Sequence, residues 1–233
     1  MNDLKNFSIW AIPFLTICGG VYHLAYWDTF DINGLAYIGL SDIIKSFMYP
    51  FLSAIVMFVI GIIIGNFIMP SNFFPNGDGS NTRIGKVLNT RWCIEILIMI
   101  WIILIFLLYN HGSIYRWTLW GFITGYVPWL YLNKIGFLSD YFLNNRIRNS
   151  FLLVLIYIPI FSFSSGKLNS EIIKDNIKYQ YVTDLNSKDI NQTDTLKLLG
   201  FTGKHYILTD LKNEYTLIVE SEKIDFIKIQ IKK

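Results

Sequence analysis

The sequence predicts a polytopic α-helical membrane protein with about five transmembrane helices and a small C-terminal all-β domain. Three observations predict it. Hydrophobic residues make up 53% of the 233 residues and charged ones only 16%, where an average soluble domain carries about a quarter charged. The stretch from Ser46 to Met69 has no charged residue and no polar face, at a length that suits a hydrocarbon layer about 30 Å thick. Beyond residue 166 the pattern changes to short runs with a period near two, which is strand periodicity. The expected division is a helical domain over residues 1–166 and a soluble β domain over 167–233.

The first span covers residues 7–27. Lys5 precedes it as in a signal peptide, but Tyr22, His23, Tyr26 and Trp27 stand where a cleavage site would need small residues. It is therefore read as a retained span, with Tyr26 and Trp27 at the interface. A polar connection follows, and Ser41 caps a short helix, SDIIKSF, that leads into the central span, 46–69. Pro70 ends that span, and the Pro, Gly, Asn and Asp content up to Arg91 reads as loop. The third span, 92–109, holds a single charge, Glu95. The fourth, 117–132, is short and rich in Trp and Tyr, and the fifth, 150–166, contains Pro159.

The tail opens with a short helix over Ser170 to Lys178. Five alternating segments follow: IKYQYVT, LKLLGF, HYILTD, YTLIVES and FIKIQI. Thr202–Lys204 and Leu211–Glu214 are short enough for hairpins. The expected form is a curled antiparallel sheet or partial barrel. So small a domain is marginal alone and should lean on the helices or on a copy of itself.

Charge placement orients the chain. With a cytoplasmic N-terminus, Lys5, Arg83, Lys86, Arg91, Lys134, Arg146 and Arg148 lie inside, against Lys45 and Arg116 outside. Lys167, Lys174 and Lys178 pull the other way, making seven against five. The balance still places the C-terminal domain outside the cytoplasm, at a bacterial inner membrane.

Few residues carry chemistry. Glu95 would cost about 2.5–3.5 kcal/mol at the centre of a span, which suits a cation site or proton relay. Arg91, four residues earlier, offers instead an i,i+4 ion pair at the interface. His23 can titrate near neutral pH as a sensor, or serve as an interfacial polar residue. Gly61 and Gly65 form a small-xxx-small pattern for close helix packing, within the chain or between copies. Asp42 and Lys45 look like a surface pair. Cys18 and Cys93 lie in apolar runs and behave as small hydrophobes.

No catalytic residue, metal site or cofactor is expected. GSNTRIGK has Ser80 where a phosphate-binding loop needs glycine, and Val87 where it needs Ser or Thr. NGDG lacks the rest of a calcium loop. The net charge of +3 forms no basic stripe interleaved with aromatics, so nucleic acid is not an expected partner. The expected function is non-enzymatic: a helix bundle in membrane lipid anchors a small β domain that senses or binds a partner. The chain would form a homo-oligomer or join a partner protein, as a membrane sensor or effector of bacterial stress or phage defence. The alternative is an oligomeric channel, pore-former or small transporter, drawing polar lining from Glu95 and His23.

Overall fold

The computed structural model describes residues 2–48, 51–52, 91–141, 145–187, 191–192 and 195–232. The described helices are α1 (Asn2–Asp28), α2 (Leu40–Ser46), α3 (Arg91–Asn110), α4 (Arg116–Lys134) and α5 (Asn145–Lys174). The strands are β1 (Tyr179–Ser187), β2 (Asn191–Gln192), β3 (Leu196–Phe201), β4 (His205–Thr209), β5 (Thr216–Glu220) and β6 (Ile224–Lys232). The chain divides into two compact units: Met1–Pro50 with Ser162–Lys233, and Phe51–Phe161.

In the second unit, α4 packs on α3 and on the first half of α5. The indole of Trp101 on α3 donates to the Ile123 carbonyl of α4 at 2.6 Å, and the Tyr157 hydroxyl of α5 donates to the Phe122 carbonyl at 3.3 Å. Trp117 is buried, with the Tyr109 ring edge-on at 5.4 Å. From Ile96 to Leu107, by contrast, α3 exposes most of its large apolar side chains.

The first unit joins helices to a sheet. Gly166 of α5 presses on α1 so closely that a Cβ there would overlap the Tyr22 carbonyl and lie 3.0 Å from the Ala25 Cβ. Gly19 of α1 meets the Ile43 carbonyl of α2 in the same way. These small residues let backbones touch where a side chain would hold them apart. The six strands run in the order β2-β1-β3-β4-β5, with β6 also paired to β1, and every pair is antiparallel. β3 is buried on both faces, so its sequence LKLLGF alternates only weakly. Leu196 and Leu198 join Val182, Leu208 and Val219 in one cluster, while Leu199 and Ile207 pack against Tyr22, Tyr26 and Trp27 of α1.

Polar contacts finish this joint. The Tyr26 hydroxyl donates to the Leu199 carbonyl, and Lys167 forms an ion pair with Asp28. Lys174 Nζ donates to the Thr29 carbonyl at 2.9 Å, and Ser170 Oγ to Thr29 Oγ1 at 2.8 Å. The Lys197 side chain, fully buried, reaches from β3 to the end of α5. Its Nζ donates to the carbonyls of Ile173 and Lys174, at 3.3 and 3.5 Å, and to Asn213 Oδ1 at 2.8 Å.

The five-span architecture is not what the structure shows. Among the described residues, α5 alone holds a segment long and apolar enough to cross a membrane, Phe151–Lys174; the apolar part of α3, Glu95–Asn110, is shorter. The reason lies in where the apolar surface goes. Tyr26 and Trp27, expected at a lipid interface, are 7% and 4% exposed inside a protein core. α4 is bounded by Arg116 and Lys134 and contains Pro128. The fifth apolar run does not stop at Gly166: α5 continues to Lys174 and absorbs most of the separate helix expected over Ser170–Lys178. α2 starts after Gly39, whose N–H approaches Asp42 Oδ2 at 3.4 Å, so Ser41 lies inside the helix rather than capping it. Most of the central stretch, residues 53–69, lies outside the described residues.

Gly166→Ala should lower thermal stability by about 1–3 kcal/mol, the usual cost of overpacking a close contact. Gly20→Ala, where a Cβ meets nothing within 4 Å, should not. Melting curves of the two variants check this, and equal effects would contradict the close helix contact.

Candidate functional site

An open groove of about 1230 Å³ lies between the sheet and the helices of the first unit. Its aromatic wall comes from α1, because Tyr22 and Tyr26, four residues apart, share a helix face. Their rings stack at 6.1 Å, and Trp27 stands edge-on to Tyr26 at 5.0 Å. Gly200 admits the Trp27 ring, since a Cβ there would sit 3.2 Å from it. Asn169 of α5 donates through Nδ2 to the Tyr22 hydroxyl at 3.1 Å. The β3–β4 turn closes one end: Gly203 adopts φ +75°, which favours glycine, and a Cβ there would lie 3.4 Å from Asp42 Oδ2.

Polar groups on the groove are few. His23 lines it, edge-on to the Tyr22 ring at 5.5 Å, with both its ring nitrogens buried and Asp42 beside it. Lys45 and Lys178 also line it and are exposed. Asp42 is the one carboxylate in the lining.

Of the residues singled out from sequence, the structure brings His23, Asp42 and Lys45 to this site. Glu95 is exposed on α3 and belongs to the other unit. Arg91 opens the same helix, but its side chain lies outside the described residues, as do Gly61 and Gly65 altogether. The groove residues missed were Tyr22, Tyr26, Asn169 and Lys178. The Tyr-x-x-x-Tyr spacing on α1 was the available signal. The sequence reading instead places Tyr26 and Trp27 at a lipid interface.

A second gathering of polar groups surrounds Lys197. Three oxygen acceptors at one amine fit an ammonium with three donors, and the Tyr179 ring centroid lies 5.5 Å away. Burial pushes the Lys197 amine below its usual value, while Asp210 and Asp175 pull it back up. Asp210 organises the β4–β5 turn by accepting from the N–H groups of Lys212, Glu214 and Tyr215 at 3.1, 2.6 and 3.2 Å. Desolvation raises its carboxyl, but these bonds and the Thr209 hydroxyl outweigh that and hold it below its usual 3.8. Every member of this cluster has a structural partner. It is a joint, not a site. Among the described residues no three His, Cys, Asp or Glu side chains gather as metal ligands.

No family model, curated protein or solved structure matches this chain. The groove's own chemistry therefore carries the reading. A largely apolar concavity with a few polar groups on it is the usual form of a binding site.

Replacing the lysine in Lys197→Met leaves two helix carbonyls and an amide oxygen without their cation. Stability should fall by about 2 kcal/mol, within the range for charge-assisted hydrogen bonds. Denaturant unfolding followed through the sheet checks this, and an unchanged midpoint would contradict the capping role. Asp210 gives a pH dependence. Its folded carboxyl ionises more readily than the unfolded one, so its contribution is complete above about pH 4 and is lost as pH falls through the folded value. Asp210→Asn should accordingly lose less stability than the parent between about pH 6 and about pH 3. Equal losses would overturn the assignment.

Proposed function

We propose that this chain is a non-enzymatic, membrane-anchored binding protein whose β-sheet and helix ends together hold a ligand. The observation that carries the reading is the shared construction of the groove. α1, α2, α5 and the strands all contribute to its lining, so an occupant touches sheet and helices at once. Its differential contacts can then bias both, which is what a sensor requires.

Anchoring in lipid is supported by two features. The segment Phe151–Lys174 has the length and composition of a span. α3 presents exposed Ile, Leu, Met and Phe around most of its surface, and a helix apolar all round belongs in lipid or inside a larger apolar environment. In this reading α5 leaves the bilayer within the residues that line the groove, Asn169 to Ile173, and the sheet sits on the extracytoplasmic side.

The test is membrane extraction of the full chain expressed in bacteria. It should sediment with membranes and stay in the pellet at alkaline carbonate, with the C-terminus reached by protease from the outer face. Release of the chain by carbonate would overturn the anchoring. Protection of the C-terminus in intact spheroplasts would overturn the sidedness.

A further inference from the structure

We infer that the groove takes an acidic membrane lipid, with the anionic headgroup at Lys45 and Lys178 and the start of an acyl chain against Met48 and Ile231. The inference deepens the binding role proposed above and rests on it. Four observations carry it.

The first is charge. Lys45 and Lys178 reach the groove from different elements, are exposed, and have no ion-pair partner among the described residues. The single carboxylate there, Asp42, approaches the Gly39 N–H on its own helix. A net positive rim over an apolar floor complements an anionic amphiphile. Each lysine near an anionic lipid surface contributes attraction of about a factor of five in affinity.

The second is uncovered apolar surface. Met48 and Ile231, both lining the groove, are each 59% exposed. Water alone makes poor company for two large side chains on the rim of a concavity. The third is size. A volume of about 1230 Å³ exceeds the common range for a small-molecule pocket, about 300–1,000 Å³, and accommodates a headgroup with part of a chain. The fourth is depth. The segment of α5 long enough to span ends at Lys174, and the same last turns, through Asn169 and Ile172, line the groove. In the anchored reading this puts the groove at the headgroup level. The Asn169 amide, which lines the groove, adds a hydrogen-bonding group for ester or glycerol oxygens.

The experiment uses the full chain purified in a neutral detergent and titrated with short-chain phosphatidylglycerol, with phosphatidylcholine of equal chain length and with inorganic phosphate. Phosphatidylglycerol should bind about tenfold more tightly than phosphatidylcholine, and phosphate should not displace it. The Lys45→Gln/Lys178→Gln variant should keep its melting temperature, since neither side chain holds the fold, and should reduce the preference to about twofold or less. Ile231→Trp, which fills the groove from β6, should weaken both lipids alike. Equal affinity for the two lipids, a preference that survives in the lysine variant, or lipid binding untouched by Ile231→Trp would each overturn the site. Displacement by phosphate would show a free-anion site instead and also overturn it. Because binding is read in detergent, these outcomes stand apart from carbonate extraction. A chain that stays in the pellet but shows no headgroup preference loses only the lipid assignment. One released by carbonate loses the anchoring reading on which the lipid assignment rests.

Discussion

An ammonium group buried at the end of a helix holds the first unit together. Lys197 brings a charge into a place where burial alone would be costly, and three oxygens plus an aromatic face offset that cost. The carbonyls of the last helical turn have no partners within the helix, and a cation there also complements the helix dipole. Both needs are met by one side chain. Because Lys197 belongs to β3, the third strand of the sheet, and its acceptors belong to α5, the sheet becomes the cap of the helix. Asn213, from the β4–β5 turn, strengthens the arrangement by donating Nδ2 to the Lys174 carbonyl at 3.3 Å.

The other contacts follow from that docking. With the sheet seated on α5, Leu199 and Ile207 meet the aromatic side chains of α1, and the Tyr26 hydroxyl reaches a strand carbonyl. The Gly166 approach then holds α1 against α5, and Lys167 and Lys174 tie down the segment just after α1 through Asp28 and Thr29. The groove is the space this docking leaves open beside the aromatic wall. Its walls are shared. A molecule inside it would touch the strands and the helices together.

The strands are legible in the sequence because β1, β4, β5 and β6 each pair along a run of alternating residues, and the turns at Gly203 and Asp210 carry ordinary turn chemistry; β3, buried on both faces, alternates only weakly. The helices were readable as helices but not as spans. A residue pattern does not distinguish apolar surface that faces lipid from apolar surface that faces a sheet, and Tyr22, Tyr26 and Trp27 belong to the second kind. Lys197 was invisible for the same reason. Inside LKLLGF it looks like the polar member of an alternating strand, yet it is as buried as its neighbours, and only the helix terminus beside it explains why. Lys167 was counted as a free positive charge when its partner, Asp28, lies 139 positions away in the chain. Glu95 draws attention because carboxylates are rare in apolar helices, but it belongs to the other unit and does not line the groove. His23, singled out for its titration, lines the groove edge-on to the Tyr22 ring, and Tyr22 is in turn held by Asn169 from another helix.

The most direct test of the joint is native-state hydrogen exchange on the full chain. If Lys197 makes the sheet and the helix end a single cooperative unit, amides of β3, β4 and the last turn of α5 should open with one common free energy, and Lys197→Met should lower all three together. Amides at the end of α5 that open well before the sheet, or that are untouched by the substitution, would contradict the account.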